Sequence, residues 1–184
     1  MRVITGSARG RKLKAVPGQN TRPTTDRLKE SIFNIIQFDL EGRAVLDLFC
    51  GTGQMGIEAL SRGAKSAVFV DMSAAAIGVT RENVAHTGFG AQSVIIGGEA
   101  LQYIGATREK FDIIFLDPPY MTALLEKALQ KIAEFDILRE CGIIICECSR
   151  KEALPELPAP YVQGRRYEYG DTSVVLYSRS EADA

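Results

Sequence analysis

From Arg43 onward the chain alternates short, unbroken apolar runs with amphipathic stretches, and this alternation restricts the fold more than any other feature. The apolar runs cover 44–49, 66–71, 92–97, 111–116 and 142–148, and helical patterns fall near 54–62, 73–87, 99–105 and 121–135. Strands that are apolar throughout must be covered on both faces, so the pattern predicts an α/β fold with a mostly parallel sheet between helical layers. The tail departs from it: Tyr161 to Tyr169 and Thr172 to Tyr177, joined by Gly170-Asp171, predict an antiparallel hairpin closing one sheet edge. With 184 residues, 46% hydrophobic and 24% charged, the chain supports one sizeable core. No apolar run approaches membrane-spanning length and the region after Met1 is basic and polar, so a cytoplasmic protein with no membrane contact is expected. Cys50, Cys141, Cys146 and Cys148 lack a Cys-x-x-Cys spacing and His86 is the single histidine, which favours reduced buried thiols over a metal site.

Directly after the run 111–116 stands Asp117-Pro118-Pro119-Tyr120. Two prolines donate no ladder hydrogen bonds, so the strand stops there and leaves an acid, a fixed carbonyl and an aromatic ring beyond the sheet edge. That set suits a flat base with an exocyclic amine, whose N–H groups need acceptors and whose ring needs a stacking face. The plainer reading is a strand that ends in a proline turn.

The first strand of the alternation runs into Val45-Leu46-Asp47-Leu48-Phe49-Cys50-Gly51-Thr52-Gly53-Gln54-Met55-Gly56. Glycines at 51, 53 and 56 match a dinucleotide-binding spacing and permit a tight strand-to-helix turn at the edge where open α/β folds bind ligands. Asp47, inside the strand end, argues against a pyrophosphate and for a ligand with a cationic end. At the end of the next strand Asp71 is placed to accept ribose hydroxyls, or else to cap a helix with Ser73. After the third strand, Glu99 with Ala100 is placed to meet an adenine amino group, or else Glu99 is a first-turn acid favoured by the helix dipole.

The net charge of −1 conceals an asymmetry, since residues 1–29 carry Arg2, Arg9, Arg11, Lys12, Lys14, Arg22, Arg27 and Lys29 against Asp26 alone. Arg2 to Thr5 and Lys12 to Val16 flank a turn and predict a small hairpin. Residues 1–22 are thus expected to form a basic arm on a domain of residues 23–184, with a threonine of the segment 21–25 capping the following helix. A basic arm on an acidic body suits a polyanion such as nucleic acid, or is an ordinary solvated surface.

Taken together these residues resemble class I S-adenosylmethionine-dependent methyltransferases, and among them the RsmD-like family of bacterial 16S rRNA guanine-N2 methyltransferases. The resemblance runs through Gly10-Arg11, Arg22-Pro23-Thr24, Phe33-Asn34, Asp47-Leu48-Phe49 with Gly51-Thr52-Gly53, and Glu58-Ala59-Leu60-Ser61-Arg62-Gly63-Ala64. It continues through Asn83 and Asp117-Pro118-Pro119-Tyr120 to Tyr169-Gly170-Asp171-Thr172. Asp71 and Glu99 stand where such proteins often have Glu and Asp, with the charge kept. The resemblance implies a Rossmann-like, seven-stranded, mostly parallel sheet with an antiparallel last strand. It implies S-adenosyl-L-methionine as cofactor, its methionine part held by Asp47, Phe49, Gly51, Thr52 and Gly53, its ribose by Asp71 with Met72, and its adenine by Glu99 and Ala100. Asp117 and Pro118 would orient the guanine amine and Tyr120 stack on the base, with Arg9, Arg11, Lys12 and Arg22 gripping RNA. The implied partner of a monomeric enzyme is 16S rRNA within an assembling small subunit. Two other readings stand beside it: adenine-N6 methylation of DNA, and a non-catalytic ribosome assembly factor on the same fold.

Overall fold

The computed structural model describes residues 1–16, 26–120 and 122–180. After a helix α1 (Asp26–Ile35) the chain runs β1 (Ala44–Leu48), α2 (Gln54–Ser61), β2 (Ser66–Asp71), α3 (Ala74–Thr87), one 3₁₀ turn, β3 (Ser93–Gly97) and α4 (Ala100–Ala106). It continues as β4 (Phe111–Leu116), α5 (Leu124–Phe135), β5 (Leu138–Ser149), β6 (Tyr161–Tyr169) and β7 (Thr172–Arg179). The seven strands lie in the order β3-β2-β1-β4-β5-β7-β6. β1 to β5 are mutually parallel, and β7 runs antiparallel between β5 and β6. This is the Rossmann-like, mostly parallel seven-stranded sheet that the resemblance implies, with its last strand antiparallel.

The reason for the unbroken apolar runs is visible in the register. β1 lies between β2 and β4, and its alternate residues feed two separate cores. Val45, Phe69, Ile113, Phe115 and Ile145 pack under α1, α2, α3 and the N-terminal segment, whereas Leu46, Leu48, Val70, Leu116 and Cys146 pack under α4 and α5. Each such side chain, fully withdrawn from water, contributes about 1.5–3 kcal/mol. Because β1 to β5 are parallel, their carboxyl ends open on one edge, and the loops after β1, β2, β3, β4 and β5 meet there.

The larger departures from the sequence pattern fall at β5, at α5 and in the N-terminal hairpin. β5 starts at Leu138 rather than 142, since Asp136 and Cys141 adopt left-handed backbone angles (φ 49° and 57°) and the β4–β5 register shifts between Phe111 and Ile113. A bulge hides the early strand from a search for continuous apolar residues. α5 starts at Leu124 rather than 121, a turn later than the apolar pattern begins. The N-terminal hairpin has a single bridge, Arg2 with Lys12, because the Ile4 and Thr5 N–H groups bind a helix side chain instead of a facing strand.

That side chain is Glu58, fully buried on α2. Its carboxylate accepts from Ile4 N (2.7 Å) and Thr5 N (3.0 Å), and Arg62 Nε lies at 2.8 Å and Lys29 Nζ at 3.7 Å. One turn on, Ser61 Oγ donates to the Thr5 carbonyl (2.6 Å) and accepts from Ala8 N (3.0 Å). A Cβ on Gly6 would stand 1.7 Å from the Ser61 carbonyl oxygen, so only glycine allows the approach. Val3, Ala8 and Leu13 are buried in the same core as α1 and α2, so residues 1–16 are packed into the domain rather than standing off it. The expected boundary at 22 and the expected threonine cap lie outside the described residues. Among the described residues no helix is long and apolar enough to cross a membrane.

Candidate active site

The turn after β1 places three left-handed residues within five positions. Phe49 takes φ 63°, a left-handed angle uncommon for a non-glycine residue, and Gly51 and Gly53 follow at 55° and 74°. The glycines divide the labour. A Cβ on Gly51 would meet nothing within 4 Å, so the backbone there faces open space. On Gly53 it would meet Thr80 Cγ2 at 2.9 Å and on Gly56 the Phe69 ring at 2.3 Å, so these two let α2 lie close on α3 and β2. α3 secures the turn from behind: Thr80 Oγ1 donates to the Gly51 carbonyl (3.0 Å), and Asn83 Nδ2 donates to the carbonyls of Thr52 (2.9 Å) and Lys14 (3.1 Å).

Two acids flank this turn. Asp47 is 3% exposed and its Oδ2 accepts from Gly56 N (2.9 Å). Burial pushes its carboxyl up to about 8, with the nearby Asp71 charge adding to the shift and the Gly56 hydrogen bond opposing it. Asp71 accepts from Gly51 N (2.9 Å) on one oxygen and from Ser73 N (2.8 Å) on the other, which ties the two turns together. Ser73 itself caps α3 by accepting from Ala76 N (3.3 Å). Neither acid has an ion pair among the described residues. Beyond Asp71, Met72 is 76% exposed, a large apolar side chain left in water at the same edge. Glu99 is exposed immediately before α4 and makes no side-chain capping bond there, and Ala100 is buried as the first residue of that helix. The Gly98 N–H binds the Asp71 carbonyl (3.0 Å), which draws the β3 turn against the β2 turn.

The third element is the end of β4. Asp117 is partly buried, Pro118 buried and Pro119 exposed. Tyr120 turns back across the sheet: its hydroxyl donates to Glu147 Oε1 (2.8 Å) and lies 3.0 Å from Thr172 Oγ1. Burial first, then the negative charges of Glu147 and Asp117, raise the phenol well above its ordinary value, against the opposing Thr172 hydrogen bond. Glu147, 9% exposed near the end of β5, is a partner of the motif that the sequence pattern did not single out. A signal was present, because it is an acid inside the apolar run 142–148, as Asp47 is inside 44–49. Thr172 entered only as part of a family motif, and its neighbourhood explains that motif.

The basic residues lie elsewhere. Arg9, Arg11 and Lys12 are exposed on the hairpin, and Arg11 Nη1 donates to the His86 carbonyl (2.5 Å) in the last turn of α3. α3 leads away from the carboxyl edge for 14 residues, about 21 Å, so Arg11 sits near the opposite edge from Asp117. Arg22 lies outside the described residues.

Residues 1–178 match the family model described as Conserved hypothetical protein 95. The chain belongs to this family. Its relatives include YlbH of Bacillus subtilis, 42% identical over 97% of this chain and 99% of the relative. They also include the Ribosomal RNA small subunit methyltransferase D of Escherichia coli, 32% identical over 100% of this chain and 94% of the relative. Among solved structures, yhhF of Escherichia coli superposes with a TM-score of 0.89 at 31% identity, covering 99% of both chains. The resemblance drawn from the motifs is thereby met by relatives that carry the methyltransferase D name, over essentially the whole chain.

Proposed function

We propose that this protein is an S-adenosylmethionine-dependent methyltransferase that modifies the N2 amine of a guanine in small-subunit rRNA, acting as a cytoplasmic monomer on an assembling subunit. The observation that carries the reading is the meeting of Asp47, Asp71 and Asp117-Pro118-Pro119-Tyr120 on one sheet edge. The cofactor fits the residues present. Asp47 is a buried acid with no cation beside it among the described residues and a raised pKa, so a ligand's positive end would restore its ionised form, and Gly51 leaves room for the ligand against bare backbone. Asp47 with the Phe49–Gly53 turn would hold the methionine part, Asp71 with Met72 the ribose, and Glu99 with Ala100 the adenine edge. When bound, the cofactor supplies a methyl group already made electrophilic by its sulfonium.

The protein's part is orientation. A guanine amine is a weak nucleophile because its lone pair is delocalised into the ring. The Asp117 carboxylate and the Pro118 carbonyl would accept its two N–H bonds and so orient the lone pair, while a bound cofactor would supply the methyl and leave as the neutral thioether. Tyr120 stacks on the base and fixes its plane. Asp117 then takes the proton that the nitrogen sheds on becoming cationic. A paired base cannot reach this edge, so the target is flipped out or lies in a loop, with the basic hairpin on more distant phosphates.

The test is methyl transfer from labelled cofactor to 16S rRNA, naked and in partly assembled small subunits, with the product nucleoside identified by mass spectrometry. N2-methylguanosine made by wild type, and reduced by about 100- to 1000-fold in Asp117→Ala with cofactor affinity kept, is the expected result. N6-methyladenosine as product, or an active Asp117→Ala, overturns it.

A further inference from the structure

Tyr120 is held at both ends. On the backbone side, Pro118 and Pro119 lock their φ angles immediately before it, so the peptide that delivers the ring has little freedom. On the far side the phenol oxygen is fixed by Glu147 Oε1 at 2.8 Å and Thr172 Oγ1 at 3.0 Å, which come from two different strands, β5 and β7. β5 and β7 pair directly, with Ser149 opposite Thr172 and Glu147 opposite Val174, so the two anchors belong to one rigid piece of sheet. With its two ends fixed, neither χ1 nor χ2 of Tyr120 is free.

The use of a carboxylate here is the informative part. A neutral hydroxyl such as Thr172 suffices to satisfy a partly buried phenol, whereas a glutamate that is 9% exposed carries a desolvation cost that a neutral acceptor would avoid. An ionised acceptor makes a shorter, stronger and more directional hydrogen bond. It also decides which way the phenol proton points: toward Glu147, away from any base lying on the ring. The hydroxyl is then occupied, and Tyr120 offers a ligand its face alone.

We infer that Glu147 and Thr172 are positioning residues that act through the Tyr120 hydroxyl to set the ring plane on which the target base stacks. The inference rests on the stacking role given to Tyr120 above. It assigns selection among bases to Asp117 and the Pro118 carbonyl, because a ring whose only polar atom is engaged reads no base edge.

The discriminating experiment is a kinetic double-mutant cycle. Glu147→Ala and Tyr120→Phe should each lower kcat by about 10- to 100-fold, the loss typical of a misplaced reacting group, with cofactor affinity unchanged by calorimetry. The double variant should be no worse than the poorer single one. Glu147→Gln keeps an acceptor oxygen and should recover activity to within about fivefold of wild type. Losses that multiply in the double variant, or a fully active Glu147→Ala, overturn the inference. A second readout needs no turnover. In protein labelled at tyrosine Cζ with ¹³C, the Tyr120 signal is identified by its loss in Tyr120→Phe, and its chemical shift at neutral pH should move in Glu147→Ala because the acceptor of the phenol hydrogen bond has gone. An unmoved signal means that the contact does not exist in solution and also overturns the inference. If wild type transfers no methyl to guanine, the proposed function fails, and the Tyr120–Glu147 contact stands or falls on this shift alone.

Discussion

The hairpin joint and the carboxyl edge both bury acids, and they treat them in opposite ways. At the joint, Glu58 is surrounded by two backbone N–H groups, Arg62 and Lys29, and burial lowers the pKa of Lys29 even though the Glu58 charge opposes that shift. At the edge, Asp47 and Asp71 receive backbone N–H groups and no cation among the described residues. The acid at the joint is neutralised within the chain, whereas the acids at the edge are those that the proposed function assigns to a ligand. The contrast predicts that substitutions at the joint cost stability and substitutions at the edge cost binding.

The largest effect should come from Glu58→Ala. It leaves Lys29 with the Arg2 carbonyl and Arg62 with the Phe33 ring but neither with a counter-charge, and frees the Ile4 and Thr5 N–H groups; removal of one partner from such a buried cluster costs about 3–5 kcal/mol. Urea unfolding measures this, and cofactor affinity of the folded variant should stay near wild type. A variant that unfolds normally but fails to bind would dissolve the distinction between the two regions.

The glycine turn carries both behaviours within six residues. Gly56→Ala drives a methyl into the Phe69 ring and should cost about 1–3 kcal/mol of stability. Gly51→Ala meets open space on the protein side, so beyond the strain of φ 55° its main effect should be weaker cofactor binding. Differential scanning calorimetry and titration calorimetry on the pair separate the two outcomes, and equal stability losses with equal affinities would contradict the assignment.

Much of this was legible because it is local. The presence of the parallel strands and their helices, and the strand-end positions of Asp47, Asp71 and Asp117, follow from residues a few places apart, though the early half of β5 does not. What was not legible joins distant residues: Glu58 to Ile4, 54 positions away, and Tyr120 to Glu147, 27 away. The Phe49 backbone angle was equally hidden, because nothing in a phenylalanine signals φ 63°. The motif Glu58 to Ala64 looked like a family signature without a purpose until the hairpin was seen resting on Glu58 and Ser61.

A pH titration sharpens the comparison further. The folded-state pKa of Asp47 lies near 8, above its ordinary carboxylate value of 3.8, so its contribution to stability is fully present below about 4 and is lost as pH rises through 8. A cationic ligand favours the ionised form, so cofactor affinity should rise by up to about tenfold per pH unit toward 8 and then level off. Asp47→Asn should bind weakly at every pH and lose both trends. An affinity that is flat between pH 6 and 8 in wild type would mean that the cofactor's positive end does not sit on Asp47.

The smallest effect is expected where the charges are farthest from the edge. Arg9, Arg11 and Lys12 lie on the hairpin, with Arg11 anchored to the end of α3, so they are placed to touch phosphates remote from the base being modified. Replacing all three by alanine should weaken RNA binding modestly and reduce the slope of log affinity against log salt by about 2–3, as expected when three counterion-releasing contacts are removed. The rate at saturating RNA should stay unchanged, because no group that orients the amine has moved. A fallen kcat with an unchanged salt slope would reverse the assignment, making the hairpin part of the site's positioning machinery and leaving the RNA grip to be sought elsewhere on the surface.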